Sequence, residues 1–453
     1  MHATNPHAAN NGSDAVGLGE NGPTGLIHFP AAILEPDPQR VMLRPFTPAD
    51  EPREGIEVAS SRIERVCSRV LALKRGVADA ELLRILRGLQ PRHVNPRRVL
   101  QRRFYEMAAE GLRGRALTSG QKLLIGSYFV EEYAFEAAAL FNPSVVLHPD
   151  QGGLQPGRTR LLLSLRAVGE GHISSIVFRT AELSDTGELD VTPAGVRVAS
   201  PRIERIPGGA PDDRGVQLRY SRRCDPSSMV IFPVTAQQRG GVEDLRLVRF
   251  VEDDGRCSYI GTYTAFSGLS VRQELLRTDD FVTYQLNALR GRLSATKGMA
   301  LFPRRIDGRY AMLGRQDHEN IWLLKSGDLY EWNEGAVILS PRWPWEFIQM
   351  GNCGSPIEID EGWLVITHGV GAVRTYCLGA CLLDRRDPTK VLARTVEPLL
   401  RPQPNGYNGF VPNVAYSCGA FASGRTLMLP FGVADTMTSF AVVSLDRLLQ
   451  GMR

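Results

Sequence analysis

Four stretches decide the fold: RLVRFVEDDGRCSYIGTYTAFSG (246–268), ALFPRRIDGRYAMLGRQDHEN (300–320), SPIEIDEGWLVITHGVG (355–371) and PNVAYSCGAFASGRTLMLPFGVADT (412–436). Each reads as strand, tight turn, strand, with DDGR, IDGR, DEGW and ASGR as the turns. Their starts are 54, 55 and 57 residues apart. A looser fifth unit, PSVVLHPDQGGLQPGRTRLLLSLRAVGEG, starts at Pro143. A four-stranded blade with ordinary loops takes about 40–50 residues, so the spacing predicts an all-β, five-bladed propeller over 142–453.

Upstream the texture is helical. IERVCSRVLALKRG, DAELLRILRGL, PRRVLQRRFYEMAAEGL and SGQKLLIGSYFVEEYAFEAAALF place apolar residues three and four apart, which predicts an N-terminal layer of about four helices within residues 26–141. Ser119 is the expected cap of the last and Pro143 its stop. Residues 1–25, rich in Gly, Asn, Ala and His, are expected to be a disordered tail. The G-x-G-x-x-G match at Gly17, Gly19 and Gly22 lies there, with no strand before it and no helix after it, so it predicts no dinucleotide site.

Composition narrows the function classes. A net charge of +4 over 453 residues gives no concentrated basic face for nucleic acid. No apolar run reaches the length of a membrane span. Seven cysteines without a CxxC pair, behind an N-terminus lacking a secretory h-region, point to reduced thiols and a cytoplasmic location. No Cys/His/Asp/Glu grouping has metal-ligand spacing, so neither metal nor organic cofactor is expected.

Antiparallel pairing puts the start of each inner strand and the end of the second strand on one rim. That rule gathers polar residues around the axis. Inner-strand starts supply Asn142, Glu243, Asp244, Arg246, Lys297, Asn408 and Asn413. Second-strand ends supply Arg166, His172, Tyr263, Arg315, Asp317, His368 and Asp435. Such a funnel suits a polar ligand.

At these residues the chain resembles glycoside hydrolase family 130. GVEDLRL (241–247) is similar to the family signature G-[IV]-E-D-P-R-[IV], with Leu245 in place of proline. KGMALFP from Lys297, GWLVITHGV (362–370), LGACLLDRRDPTKVLAR (378–394), and VPNVAYSCGA with FGVADT resemble further family segments, in order, over roughly 141–450. The helical layer lies outside the resemblance.

The resemblance implies an enzyme that cleaves β-mannosidic bonds, β-1,2 by expectation, with inversion and by phosphorolysis. Asp244 takes the general acid's place, its proton relayed through a sugar hydroxyl and its pKa expected to be raised. Lys297, Arg315 and His368 align with the family's phosphate-binding cations. Inorganic phosphate is then the co-substrate, giving mannose 1-phosphate, and a β-mannoside oligosaccharide the partner. Asn142, Arg246, Tyr263 and Asp435 are expected at the sugar, with Trp343 and Trp345 as stacking surfaces and Phe266 packed in the core. Strand alternation predicts that Glu243 points into the blade. The segment Arg315-Gln-Asp-His-Glu319 departs from the family's H-R-P and leaves an alternative open: an inverting β-mannosidase with Asp317 or Glu319 as its base. A non-catalytic sugar-binding propeller is a second alternative. The helical layer is a candidate surface for pairing two copies of the chain.

Overall fold

The computed structural model describes residues 27–28, 31–49, 60–107, 112, 116–206, 215–402 and 409–453. The expected tail at 1–25 and Asn408 lie outside these residues. The described chain is mostly β, with a small helical layer.

Five antiparallel meanders carry the β region. The first sheet runs Ala139–Leu147, Arg158–Val168, Ser174–Ser184 and Leu189–Val191. The second runs Gly241–Val251, Cys257–Phe266, Val271–Thr278 and Thr283–Ala288. A parallel bridge between Gly241 and Ser174 joins these two. The third comprises Ala300–Leu301, Tyr310–Gly314, Ile321–Ser326 and Glu334–Leu339. The fourth has Gln349–Asn352 and Ile357–Ile359 on one side of Gly362–Val370, then Tyr376–Leu383 and Val391–Arg394. The fifth pairs Ala415–Tyr416 and Phe421–Ser423 with Thr426–Val433, followed by Met437–Ser444. Its outer edge is completed by Ile27–His28, an N-terminal strand that the repeat spacing did not foretell.

The strands are apolar on both faces because each sheet is sandwiched. Successive residues alternate between two cores: Leu162 packs with Leu247 and Tyr284 toward the second sheet, whereas Leu163 packs with Met428 and Phe440 toward the fifth. Phe250, Leu301 and Trp332 join the second and third sheets, Phe302, Leu323 and Trp363 the third and fourth, and Leu364, Leu427 and Phe431 the fourth and fifth. The series of shared cores returns to its start. The IDGR turn shows how the hairpins tighten: Asp307 and Gly308 both take left-handed φ, 50° and 73°, as a two-residue hairpin loop demands.

Four helices precede the sheets: α1 (Arg62–Leu71), α2 (Arg75–Leu89), α3 (Pro96–Met107) and α4 (Ser119–Ser127). They share a core of Leu100, Phe104, Leu124, Ile125 and Phe129. Gly126 allows α4 to press on α3, since a Cβ there would lie 2.0 Å from the Leu100 carbonyl oxygen.

The last predicted helix is corrected. Thr118, not Ser119, caps α4, through a reciprocal capping box with Gln121. The helix stops at Ser127, and Val130–Ala134 is a strand paired with Val41–Pro45. The helix-forming Glu and Ala residues of 131–139 are overridden by tertiary pairing, which buries Phe129, Tyr133 and Phe135. Pro143 ends no helix; it sits in a bulge between Phe141 and Ser144.

Candidate active site

A cleft of about 250 Å³ opens where the five sheets converge. The first sheet contributes Asn142 and Arg166, the second Asp244, the third Arg315 with Lys297 just before it, and the fifth Asp435. Gln349, Arg374 and Tyr376 from the fourth sheet, and Tyr416 from the fifth, complete the polar wall. Two larger cavities, of about 900 and 520 Å³, lie against the helical layer. Neither brings two carboxylates together, so chemistry rather than size locates the site.

Bulges aim the key side chains. In the first strand of the first sheet the register shifts between Phe141 and Ser144, and in the equivalent strand of the second sheet between Glu243 and Arg246. Asn142 (φ 50°) and Asp244 (φ 55°) sit at these shifts in left-handed backbone, which Asn and Asp tolerate better than most residues. Asp435 (φ 52°), in the turn between Thr426–Val433 and Met437–Ser444, is a third. Such backbone costs of order 1–3 kcal/mol per residue and clusters where function needs it.

Asn142 Nδ2 donates to Asp244 Oδ1 at 2.8 Å. Arg166 reaches Asp244 Oδ1 with Nη1 at 3.5 Å and Glu243 Oε1 with Nη2 at 3.0 Å. Glu243 also pairs with Lys297 Nζ at 3.1 Å. The expectation that Glu243 points away into the blade is thereby corrected: the bulge breaks strand alternation, and both carboxylates meet one arginine. The expectation of a raised pKa for Asp244 is corrected too. Burial pushes it up, but Arg166, the Asn142 amide, Arg246 and Lys297 together hold it below the usual aspartate value. Asp435 goes the other way. Burial and the charge of Asp244 push it up to about 6, against Arg166 and Arg374.

The three aligned cations separate. Lys297 and Arg315 line the cleft. His368 is 0% exposed and lies behind the wall, its Nε2 3.5 Å from Arg315 Nη1 and its Nδ1 3.7 Å from Cys353 Sγ. Burial, then Arg315 and Arg246, drive its pKa well below 6.5, so it is a neutral ring, and its expected role as a phosphate-binding cation is corrected. It packs against Arg315 over Gly351, where a Cβ would come within 2.3 Å of Arg315 Cδ and 2.6 Å of His368 Cε1. Arg246 is likewise 3% exposed and donates to the Tyr416 hydroxyl at 2.7 Å; it lies outside the cleft lining, which corrects its expected place at the sugar.

Tyr263 is 1% exposed in the core between the first two sheets. Its hydroxyl donates to Glu274 at 2.6 Å and accepts from Gln238 at 3.1 Å, so the expectation that it touches sugar is corrected. Asp317 is exposed and holds a turn, accepting the backbone N–H groups of Glu319 and Asn320, and those bonds lower its pKa to about 2. Neither Asp317 nor Glu319 lines the cleft, which removes both expected water-activating bases. Phe266, Trp343 and Trp345 line no part of it either. Arg374 and Tyr376 were missed: Arg374 ends a three-residue turn, Ala372–Arg374, that no motif marks, and Tyr376 opens the strand after it.

The comparisons with known proteins fall on the same region. Residues 222–453 match a family model, Glyco_hydro_130, described as beta-1,4-mannooligosaccharide phosphorylase. The chain belongs to glycoside hydrolase family 130. As a family 130 member it is an enzyme. It is 34% identical over 216 residues to a 1,2-beta-oligomannan phosphorylase of Thermoanaerobacter sp. (strain X514), covering 47% of this chain and 71% of that one. A beta-1,2-mannobiose phosphorylase of Listeria innocua is 33% identical over 48% of this chain and 62% of its own. A beta-1,4-mannooligosaccharide phosphorylase of Ruminococcus albus is 35% identical over 32% and 47%. The solved structure of the Listeria innocua beta-1,2-mannobiose phosphorylase with beta-1,2-mannobiose shares the fold, with a TM-score of 0.50 and 22% identity over 69% of this chain and 92% of that one.

Proposed function

We propose that this family 130 enzyme is an inverting β-mannoside phosphorylase on a five-bladed β-propeller, cleaving β-1,2 bonds to mannose 1-phosphate. The blade reading rests on five meanders whose shared cores run in a cycle. One observation carries the phosphorolysis: four cations, Arg166, Lys297, Arg315 and Arg374, line the cleft against two carboxylates, Asp244 and Asp435. A dianion suits that surplus. The two carboxylates expected to activate a competing water, Asp317 and Glu319, stand outside the cleft.

In this reading phosphate attacks the anomeric carbon from the side of Arg315. Asp244, fixed by Asn142 and Arg166, governs the sugar hydroxyl that relays a proton to the leaving oxygen. The relatives named for β-1,2 substrates support the linkage. A reducing cytoplasm accords with seven free thiols, and among the described residues no helix is long and apolar enough to cross a membrane. The test is incubation with β-1,2-mannobiose with and without phosphate. Mannose 1-phosphate formed only with phosphate is the expected result; free mannose at a phosphate-independent rate means hydrolysis.

A further inference from the structure

Arginines gather on one face of the helical layer. The cavity of about 900 Å³ is lined by Arg97, Arg98 and Arg197, with Asn95, Gln101 and Ser119 among them. A smaller one beside it, of about 50 Å³, is lined by Arg98, Arg102, Arg202 and Arg219. Asn95 and Arg98 line both, so six arginines share one continuous face, and no aspartate or glutamate lines either cavity. A parallel pairing of His93–Val94 with Val198–Ala199 assembles the face by bringing α3 beside the hairpin of Arg202–Arg205 and Val216–Arg219. Arg102 donates to the Pro201 carbonyl at that seam.

Two placements on this face run against local physics. Arg97 and Arg98 occupy the first turn of α3, where the helix dipole disfavours cations, and no acidic residue stands in that turn. Arg202 lies directly opposite Arg219 across an antiparallel pair, a like-charge juxtaposition that destabilises a sheet. Arg202 finds Glu204 at 2.6 Å and Arg102 finds Glu106 at 3.6 Å. Among the described residues no carboxylate pairs with Arg97, Arg98, Arg197 or Arg219. Burial holds Arg102 below the usual arginine proton affinity, and the charge of Arg98 adds to that against Glu106. Breaches of local rule of this kind are expected where function needs them, and a bound anion relieves each of them.

We propose that this face is a binding site for a phosphorylated sugar, separate from the catalytic cleft. Guanidinium forks match phosphoryl oxygens, and arginines in two connected cavities favour a ligand with two phosphoryl groups over one. Gln90, Asn95, Gln101 and Ser119 supply amide and hydroxyl groups for the sugar hydroxyls. No Phe, Tyr, Trp or His lines either cavity, so a nucleobase has no ring to stack on, which argues against nucleotides and single-stranded nucleic acid. The six arginines all precede residue 222, where the family match begins, and none lines the catalytic cleft.

The test is isothermal titration of the full chain at one fixed ionic strength, with fructose 1,6-bisphosphate, glucose 6-phosphate and sulfate as probes. The bisphosphate should bind tighter than the monophosphate, and both tighter than sulfate. Arg98→Gln, where the two cavities meet, should weaken bisphosphate binding by about tenfold or more, the worth of one charge-assisted bond. Arg315→Ala, in the catalytic cleft, should leave that affinity within about twofold. A second readout comes from the free protein. Because Arg202 repels Arg219, Arg219→Gln should raise the Tm without ligand while weakening the bisphosphate, a combination that a merely structural arginine does not give. A bisphosphate that binds no tighter than sulfate, or an affinity that Arg315→Ala reduces as much as Arg98→Gln, overturns the proposal. So does tighter binding of single-stranded RNA or of phosphatidylglycerol vesicles than of the sugar phosphates.

Discussion

Asn142 and Asp244, separated by 102 residues in the chain, occupy equivalent bulges of adjacent sheets, both left-handed, with the Asn142 amide donating to the Asp244 carboxylate at 2.8 Å. The amide is part of what holds that carboxylate ionised. A hydrogen bond to a charged group is worth about 1.5–3 kcal/mol. Asn142→Ala should therefore lower kcat by roughly 10–100-fold, with a raised Asp244 pKa visible in a carboxylate titration.

Asp244→Asn should reduce turnover of an unactivated mannoside by about 10²–10⁴-fold while the circular dichroism spectrum stays that of wild type. A variant with near-normal phosphorolysis of mannobiose removes Asp244 from the proton path.

Phosphate dependence separates Arg315 from His368. Arg315→Ala should weaken the response to phosphate by about tenfold or more, since one lost charge-assisted bond costs at least about 1.4 kcal/mol. His368 has its pKa held well below 6.5, so it stays neutral as pH rises from 6 to 8. Phosphate affinity should show no inflection over that range that His368→Gln abolishes.

Tyr263→Phe should leave kcat and KM within about twofold and lower stability by about 1–3 kcal/mol, because Glu274 and Gln238 lose a buried partner. Asp317→Ala and Glu319→Ala should also leave turnover within about twofold, read in the same assay.

Glu136→Ala should lower unfolding free energy by about 3–5 kcal/mol in a denaturant titration. It is 0% exposed between Arg40 and Arg179, and removing it strands two buried guanidinium groups that tie the N-terminal segment to the first sheet.

By itself the sequence determined the repeat, the polar rim and the family. Turn residues at 54–57-residue spacing mark hairpins locally, and a motif such as GVEDLRL keeps its residue order however the chain folds. Asn142, Asp244, Lys297, Arg315 and Asp435 were legible that way, and they do share one cleft. Tertiary structure alone decided which neighbours those residues acquired. Strand alternation misassigned Glu243 because a bulge shifts the register by contacts invisible to local pattern. Helical periodicity ran past Ser127 because Val130–Ala134 gains more by pairing with Val41–Pro45 than by extending α4. The expected charges of Asp244 and His368 failed for one common reason. A proton affinity is set by burial and by every charge nearby, and the largest charge acting on each, Arg166 on Asp244 and Arg315 on His368, comes from another sheet.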